Sequence, residues 1–482
     1  MKAGVQTSTG SQWSWPCDLY DPASPSNARK FQSILEFDEP KYSQGVKWAA
    51  YWANWLLQLR LGGSRHGRIV PVLPASELEA LTSIPEGAGN LLVGPHPGPV
   101  DPQLIFHLLG RVHRGPAVFL MAAESYYSDG RLRRWVLNRL GVIPVARGRK
   151  NPQAIRCMTE HLAHGWWGGI FPEGEVYFSR DVMPMEYGAV RIAVEAALQI
   201  ASDNDGSGRV DSARAMFMTP FALVYFFTDP AKTMHCALAA LREIEAHPVI
   251  SIEEVDGSIE TRLQRAADKL LANKAATYGV RPELWQGADR FERVRRLQDA
   301  VLGELEERYI DGRKVKNTPR RRAMIIRMAC FELLANGQVT LEERRRIESD
   351  VQKTRELILM TPFTRAYREK YGDIEMWIEY LRRFRSALKM SAFDFGPQEV
   401  VFKILPPIDM RPLASDYSAR ASGVERREFL YEITASLQNS VQAGVDEICQ
   451  SRLAARIADA ADWSVRDWEA GDQDAEDLGA RE

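Results

Sequence analysis

The sequence predicts an α/β domain at residues 68–250, with an N-terminal helical segment before it (1–67) and a mostly α-helical region after it (251–462). Short apolar runs alternate with longer stretches of helical spacing across the central region, which is the pattern of an α/β domain. From Ser251 onward the spacing is helical alone, so the strands are expected to stop there. The acidic stretch 463–482 is expected to be a loose tail.

Composition is that of a large globular chain. With 482 residues, 45% of them apolar and 26% charged, the chain can bury the cores of two or more domains. A net charge of -2 argues against whole-chain attraction to nucleic acid. The cysteines are far apart and lack metal-ligand spacing, which favours reduced thiols, a cytoplasmic protein and no metal site: Cys17, Cys157, Cys236, Cys330 and Cys449.

The N-terminal segment contains an aromatic stripe. Neither a secretory signal nor a run of roughly eighteen apolar residues is found, so no spanning helix is expected. Within Lys47–Leu61, aromatic and apolar residues recur at helical spacing: Trp48, Tyr51, Trp52, Trp55 and Leu59. This pattern fits an amphipathic helix lying in a membrane surface. It equally fits a helix packed on the domain core, which the apolar Leu56 and Leu57 favour.

The elements of the central region follow in order. The strand candidates are Leu91–Val93, Ala117–Met121, Val142–Val145, Gly168–Phe171 and Met216–Tyr225. Helical spacing appears between them at Gln103–Leu109, Pro152–Leu162 and Val190–Ile200. The polar motifs described next stand at strand ends, where open α/β sheets build their sites.

His96 and Asp101 follow the first strand, in the run Leu92-Val-Gly-Pro-His96-Pro-Gly-Pro-Val-Asp101-Pro102. Asp101-Pro102 is typical of a helix start, with Asp101 as N-cap and Pro102 in the first helical position. A carboxylate bonded to one imidazole nitrogen fixes the tautomer and stabilises the cation, so the other nitrogen can take a proton from a hydroxyl. Alternatively, Asp101 only caps the helix, or does both.

A cationic cluster follows the strand Val142–Val145. Arg147, Arg149 and Lys150 suit a phosphate group, because guanidinium forks match phosphate oxygens and lysine adds a point charge. A helix opening at Asn151-Pro152 can present its N-terminal amides to the same anion. The alternative is a solvated loop.

An acidic turn follows the next strand. In Phe171-Pro-Glu173-Gly174 the glycine allows a substrate to approach the backbone closely. By itself the segment also fits a plain turn.

Taken in order, these residues resemble the glycerophospholipid acyltransferase family, the lysophosphatidate and glycerol-3-phosphate acyltransferases of bacterial lipid synthesis. The family has a His and an Asp separated by four residues (the HX4D motif), a Gly-x-Ile-x-Val-x-Arg-like block, Phe-Pro-Glu-Gly, and a strand with a proline. Here these blocks are matched, over about residues 68–227, by His96 with Asp101, Gly141 with Arg147, Phe171 to Gly174, and Pro220.

The resemblance implies a mixed β-sheet flanked by helices and an acyl transfer from acyl-CoA or acyl carrier protein to the hydroxyl of a lysophospholipid or glycerol phosphate. The activity would be 1-acylglycerol-3-phosphate O-acyltransferase-like, without a cofactor beyond the thioester co-substrate. His96 would be the general base and Asp101 would orient it. Arg147, with Arg149 or Lys150, would hold the acceptor phosphate. Glu173 and Gly174 would bind and shape the acceptor side, and backbone amides would stabilise the oxyanion.

Two departures from the family pattern concern the substrate more than the reaction. The family usually has Asn before the histidine and Ser two residues after it, where this chain has Pro95 and Gly98. The family also commonly continues its third block with Gly-Thr-Arg-Ser, whereas Glu175 follows Gly174 here. Arg180 or Arg191 is the candidate substitute for the missing cation; otherwise the acceptor headgroup differs.

The second half is predicted to form long helices and lies outside the resemblance. They are Ile259–Thr277, Ala288–Tyr309, Arg321–Asn336, Leu341–Met360 and Asp373–Lys389, followed after the Pro-rich stretch Leu405–Pro412 by a last helical pair. Its strongest basic cluster comprises Arg313–Lys316 and Arg320–Arg322. This cluster suits anionic lipid headgroups or an acidic carrier protein, and equally a solvated helix start balanced by nearby glutamates.

Two other functions remain open at this point. A membrane-associated binding or scaffold protein could keep this fold without turnover; the intact His96 and Asp101 argue against it, and the altered residues after Gly174 argue for it. A hydrolase using the same pair on water lacks the Gly-x-Ser-x-Gly nucleophile elbow. A peripheral position on the cytoplasmic face of a membrane is expected for the acyltransferase.

Overall fold

A computed structural model describes residues 37–53, 69–113, 115–127, 130–146, 151–207, 214–253, 256–285, 289–310, 318–335, 339–360 and 365–459. The predicted acidic tail and the part of the aromatic helix beyond Ala53 lie outside these residues.

A mixed β-sheet forms the centre of the fold. Its strands are Ile69–Val72 (β1), Gly89–Val93 (β2), Ala117–Ala122 (β3), Val142–Val145 (β4), Trp167–Ile170 (β5), Met216–Phe227 (β6), Gln398–Ile404 (β7) and Ile408–Asp409 (β8). The order is β1-β7-β6-β2-β5-β3-β4, with β8 also paired to β6. The pairings of β6 with β7 and with β8 are antiparallel and the others are parallel. The predicted mixed sheet flanked by helices is therefore confirmed.

Helices flank the sheet and fill most of the second half. The first half contains Gln44–Ala53 (α1), Ala75–Thr82 (α2), Asp101–Val112 (α3), Ala123–Tyr126 (α4), Gly130–Arg139 (α5), Pro152–Ala163 (α6), Gly188–Ser207 (α7) and Pro230–Glu245 (α8). The second half contains Ile259–Thr277 (α9), Pro282–Trp285 (α10), Arg290–Tyr309 (α11), Pro319–Ala335 (α12), Leu341–Leu359 (α13), Arg365–Tyr371 (α14), Ile374–Ala387 (α15), Met410–Ala419 (α16) and Gly423–Asp459 (α17). The five long helices predicted there are confirmed within two residues at most ends.

Local sequence explains several of these boundaries. The five residues of β2 are all buried, as expected for a central strand covered on both faces. Thr340 and Glu343 form a capping box at the start of α13, and Asp373 accepts the backbone N–H of Met376 to cap α15. These caps satisfy backbone donors that a helix cannot pair internally.

The prediction that strands stop at Ser251 is wrong. The strand β7 pairs antiparallel with the second half of β6, from Phe221 opposite Ile404 to Phe227 opposite Gln398. It also pairs parallel with β1, so the C-terminal region completes the sheet of the first half. Buried and half-buried residues alternate along β7, which is the period of a strand, but the prolines that follow it obscured the signal.

Packing divides the helices into layers. On one face of the sheet, α6, α7, α16 and α17 bury residues of a common core, and α2 and α3 cover the other face. A separate core lies among α9, α11, α12 and α13. None of the described helices is long and apolar enough to span a bilayer.

The short helix α1 packs on the domain through one face. Lys47 is buried, and its Nζ donates to the carbonyl oxygens of His113 and Gly115 at 3.0 and 2.6 Å. The ring of Tyr51 stacks on His107 with centroids 5.2 Å apart. Trp52 stays 59% exposed, so α1 both contributes to the domain and presents an aromatic side chain outward.

Candidate active site

A cavity of about 1490 Å³ lies between the sheet and the C-terminal helices. Its wall includes residues at the carboxyl ends of three parallel strands, Leu120–Ala122 of β3, Val145 of β4 and Ile170 of β5. Side chains of α9, α12 and α15 complete it. The carboxyl ends of parallel strands are where α/β sheets bind ligands.

His96 lines this cavity and is held by Asp101. Nδ1 of His96 lies 2.7 Å from Oδ2 of Asp101. The imidazole also stacks on Phe171, with ring centroids 4.3 Å apart, which fixes the plane of the ring. The side chain of His96 remains 15% exposed while that of Asp101 is fully buried. With Nδ1 bonded to the carboxylate, Nε2 is the nitrogen left for a ligand in the cavity.

The Asp101 carboxylate holds His96 and does not cap helix α3. The same Oδ2 accepts the backbone N–H of Gly98 at 2.8 Å, and Oδ1 accepts the hydroxyl of Tyr225. The cap position of α3 is Val100, and Asp101 caps none of the helix amides. The prediction that Asp101 is the N-cap is therefore wrong: its carboxylate faces the histidine, and three donors surround it.

Tyr225 of β6 belongs to the site through its hydrogen bond to Asp101. Burial, followed by the neighbouring charge of Asp101, raises the pKa of the Tyr225 phenol well above its usual range, so the hydroxyl stays protonated and donates. A Cβ at residue 98 would lie 2.7 Å from this hydroxyl oxygen. Gly98 therefore stands where the family has serine because Tyr225 leaves no room for a side chain.

Glu173 lies behind the cavity wall. The side chain is 2% exposed, with Oε2 accepting the backbone N–H of His96 at 2.9 Å and Oε1 that of Met183 at 2.8 Å. Burial raises the pKa of this carboxyl to about 7, although both N–H groups favour the ionised form. Glu173 thus connects the His96 loop to the segment after β5.

Gly174 makes the turn after Glu173 and lines the cavity. Its φ is +73°, a left-handed conformation that glycine adopts without strain, and its N–H donates to the carbonyl oxygen of Phe171 at 3.1 Å. Arg320 from α12 donates to the carbonyl oxygens of Glu173 and Pro184. Its Nη2 lies 3.9 Å from where a Cβ of residue 174 would stand.

Of the two candidate substitute cations, Arg180 points away from the site. Its side chain is 3% exposed and pairs with Asp373 at 2.6 Å and Glu379 at 3.2 Å. Burial alone would lower the pKa of Arg180, but the two carboxylates raise it well above its usual value. Arg180 joins the domain to α15, and the proposal that it replaces the missing cation is wrong.

Arg191 does line the cavity. It is exposed and pairs with Glu195 one turn along α7 at 2.7 Å. The predicted phosphate ligands Arg147, Arg149 and Lys150 lie outside the described residues. Their flanks, Ala146 and Asn151, line the cavity.

The C-terminal basic cluster is only partly available to a membrane or partner. Arg320 is engaged as described, and Arg322 pairs with Glu306 at 2.7 Å and Asp299 at 2.5 Å. Arg321 lines the cavity, and within the described part of the chain its side chain has no charged partner. The segment Arg313–Lys316 lies outside the described residues.

The comparison with protein families gives one match. Residues 76–203 match the family model described as Acyltransferase. The chain contains an acyltransferase-family domain. The match runs from α2 through α7 and includes both the His96 loop and the turn at Gly174, and it ends before β6 and the C-terminal helices. No curated protein matches the chain significantly.

Sequence reasoning missed two residues at the site of the acyltransferase domain. Tyr225 was assigned only to a strand, although it carries a phenol at the end of an otherwise apolar run. Arg320 was assigned only to a surface cluster. No local pattern identifies either, because their partners lie 124 and 147 residues away in the sequence.

Proposed function

We propose that the protein transfers a fatty acyl group from acyl-CoA or acyl carrier protein to the hydroxyl of a lysophospholipid or glycerol phosphate. The observation that carries the proposal is the 2.7 Å contact between His96 and Asp101 on the wall of a large cavity, inside an acyltransferase-family domain. The activity would be 1-acylglycerol-3-phosphate O-acyltransferase-like, in phospholipid biosynthesis, with the thioester as co-substrate and no further cofactor.

The chemistry follows from the orientation of the imidazole. Nε2 of His96 takes the proton of the acceptor hydroxyl as its oxygen attacks the thioester carbonyl carbon. The tetrahedral intermediate then collapses, the carbon–sulfur bond breaks, and the imidazolium returns the proton to the leaving thiolate. Asp101 stabilises the imidazolium, with Tyr225 and Gly98 holding the carboxylate in place.

The intermediate needs hydrogen-bond donors at its oxyanion. Several amides around His96 are already engaged: those of His96, Gly98, Gly174 and Tyr177. Val100 and Val176 line the cavity, and their N–H groups have no acceptor in the described structure. These two amides are the proposed oxyanion donors.

The acceptor phosphate is assigned to the cations around the cavity. Arg147, with Arg149 or Lys150, follows cavity-lining Ala146 and remains the primary proposal. Arg321 lines the same cavity and supplies positive charge from α12, whereas Arg191 lines it from α7 in an ion pair with Glu195. Gly174 would let the acceptor approach the backbone, while Glu173 would act indirectly by fixing the His96 loop.

The test of this function is a product assay by mass spectrometry, using lysophospholipids of different headgroups and glycerol 3-phosphate with acyl-CoA and acyl carrier protein donors. The account predicts an acylated product with at least one pair. No product with any pair would favour a scaffold protein that keeps the fold.

We also propose peripheral binding to the cytoplasmic face of a membrane through α1 and α5. These two helices are in contact, and each has exposed apolar side chains: Trp52 is 59% exposed, Trp135 49% and Leu132 75%. Arg131 is exposed beside them, and Arg139 stacks on Trp135. Aromatic, aliphatic and basic side chains on one surface suit an anionic lipid interface.

Flotation with anionic liposomes tests this membrane proposal. Leu132→Asp should lower the partition coefficient at least about tenfold, because burying a leucine contributes about 1.5–3 kcal/mol. Leu341→Asp, at a leucine 62% exposed on α13, is the matched control and should float as the wild type does. Equal flotation of both variants would rule out the α1–α5 surface.

A further inference from the structure

The C-terminal helices α9 and α15 line the cavity with mainly apolar side chains, among which Arg383 and Gln264 also lie. On α15, residues at spacings of three and four line it: Trp377, Tyr380, Phe384 and Ala387. On α9 the same spacing brings Leu263, Ala267 and Leu270 to the wall. These residues lie beyond the segment that matches the acyltransferase family, so their presence at the cavity is a property of this chain's second half.

Both helices also pack on the core around α8, which their partly buried cavity-lining aromatic residues contact as well. Ile378 and Leu381 of α15 and Ala266 of α9 are buried together with residues of α8. Trp377, Tyr380 and Phe384 are only partly buried. Part of the apolar surface of these residues therefore faces the cavity without being covered by the protein. Concave apolar surface of this kind is typical of a ligand site.

Two cations near this wall are paired within the protein, while Arg383 of α15 and Lys389 just after it also line the cavity. Lys274 of α9 pairs with Glu356 at 2.6 Å, and Arg290 of α11 pairs with Asp268 at 3.2 Å. These cations line the cavity but have carboxylate partners, unlike Arg321. The apolar side chains of α9 and α15 on this wall suit an uncharged apolar group.

The volume of the cavity also favours an extended apolar ligand. Pockets for small molecules usually measure about 300–1,000 Å³. The cavity of about 1490 Å³ exceeds this range, so it has room for an extended chain in addition to the groups that react at His96.

We infer that α9 and α15 form a channel for the long alkyl chain of a lipid substrate. The inference rests on the proposed function in that the chain belongs to the acyl donor or to the acceptor. It gives the C-terminal helices a role in substrate binding, with Ala267 and Ala387 at positions where a larger side chain would obstruct the channel.

Binding of the fluorescent fatty acid cis-parinaric acid tests the channel without requiring turnover. Ala267→Trp and, independently, Ala387→Trp should weaken binding at least about tenfold. Ala276→Trp, on an exposed position of the same helix α9, is the matched control and should bind as the wild type does. Thermal unfolding of each variant identifies a misfolded one. Wild-type protein that does not bind, or folded channel variants that bind like the control, would overturn the inference.

Turnover then identifies the source of the chain. Donors of increasing length are paired with glycerol 3-phosphate, and lysophospholipids of increasing length are paired with one donor. Ala267→Trp should shift the preference toward shorter chains in one series, and an unchanged preference in both would contradict the channel. His96→Ala should bind cis-parinaric acid as the wild type does, because the channel does not depend on the base. Wild-type protein that binds the fatty acid but transfers no acyl group would contradict the proposed function and leave the channel inference standing.

Discussion

At the scale of single residues, the site depends on how Asp101 is surrounded. The carboxylate is fully buried and accepts from His96, Gly98 and Tyr225. The pair with His96 could be predicted because both residues lie in one loop, five positions apart. The contribution of Tyr225 could not be predicted, because Tyr225 lies on β6, 124 residues from Asp101 in the sequence. The reason for glycine at residue 98 likewise needs the structure.

The raised pKa of Glu173 predicts how the folding stability of the protein depends on pH. Because burial raises its pKa from 4.5 to about 7, the folded protein holds the proton in this range while the unfolded chain releases it. The contribution of Glu173 to folding stability should therefore fall as pH rises from about 4.5 to about 7, by up to about 3 kcal/mol.

The measurement compares the free energy of unfolding of the wild type and Glu173→Gln across this range. The glutamine amide does not titrate, so the wild type should lose stability relative to the variant as pH rises. If the difference in the free energy of unfolding stays constant with pH, or if the wild type becomes more stable relative to the variant as pH rises, the pKa of Glu173 is not raised in the folded protein.

At the scale of elements, the loop after β5 (residues 171–187) is held by the C-terminal helices. Arg320 of α12 and Arg383 of α15 donate to its carbonyl oxygens, the latter to Tyr177 at 2.7 Å. From α17, Gln442 and Gln438 accept the N–H groups of Val182 and Met185. The helices themselves could be predicted from their 3.6-residue period. Their contacts with the loop could not, because those contacts depend on tertiary packing.

Arg180 is the strongest of these connections. Its guanidinium is almost fully buried between Asp373 and Glu379, so Arg180→Ala would leave two partly buried carboxylates without their cation. We expect the free energy of unfolding to fall by about 3–5 kcal/mol, as measured by denaturant titration. Arg191→Ala is the control: its ion pair is exposed on α7, and its loss should change stability by less than about 1 kcal/mol. Similar losses for both would contradict this difference in burial.

At the scale of the whole molecule, the two halves of the sequence do not form separate units. The strands β7 and β8 come from the C-terminal region and pair with β6, and α17 packs on the sheet. The strands β2 to β6, including the edge strand β4, were predicted because their apolar runs are continuous. The edge strand β1 was not predicted, and the inserted β7 was missed because buried and half-buried residues alternate along it. The central cavity is likewise built by both halves, which a sequence read in segments does not reveal.

We propose His96 as the general base of the acyl transfer. The most direct test is the rate of product formation by wild type, His96→Ala and the control His235→Ala, whose histidine is exposed on α8. The account predicts that His96→Ala lowers kcat by about 10²–10⁴-fold with an unchanged unfolding temperature, while His235→Ala keeps the wild-type rate. Wild-type turnover by folded His96→Ala protein would contradict it.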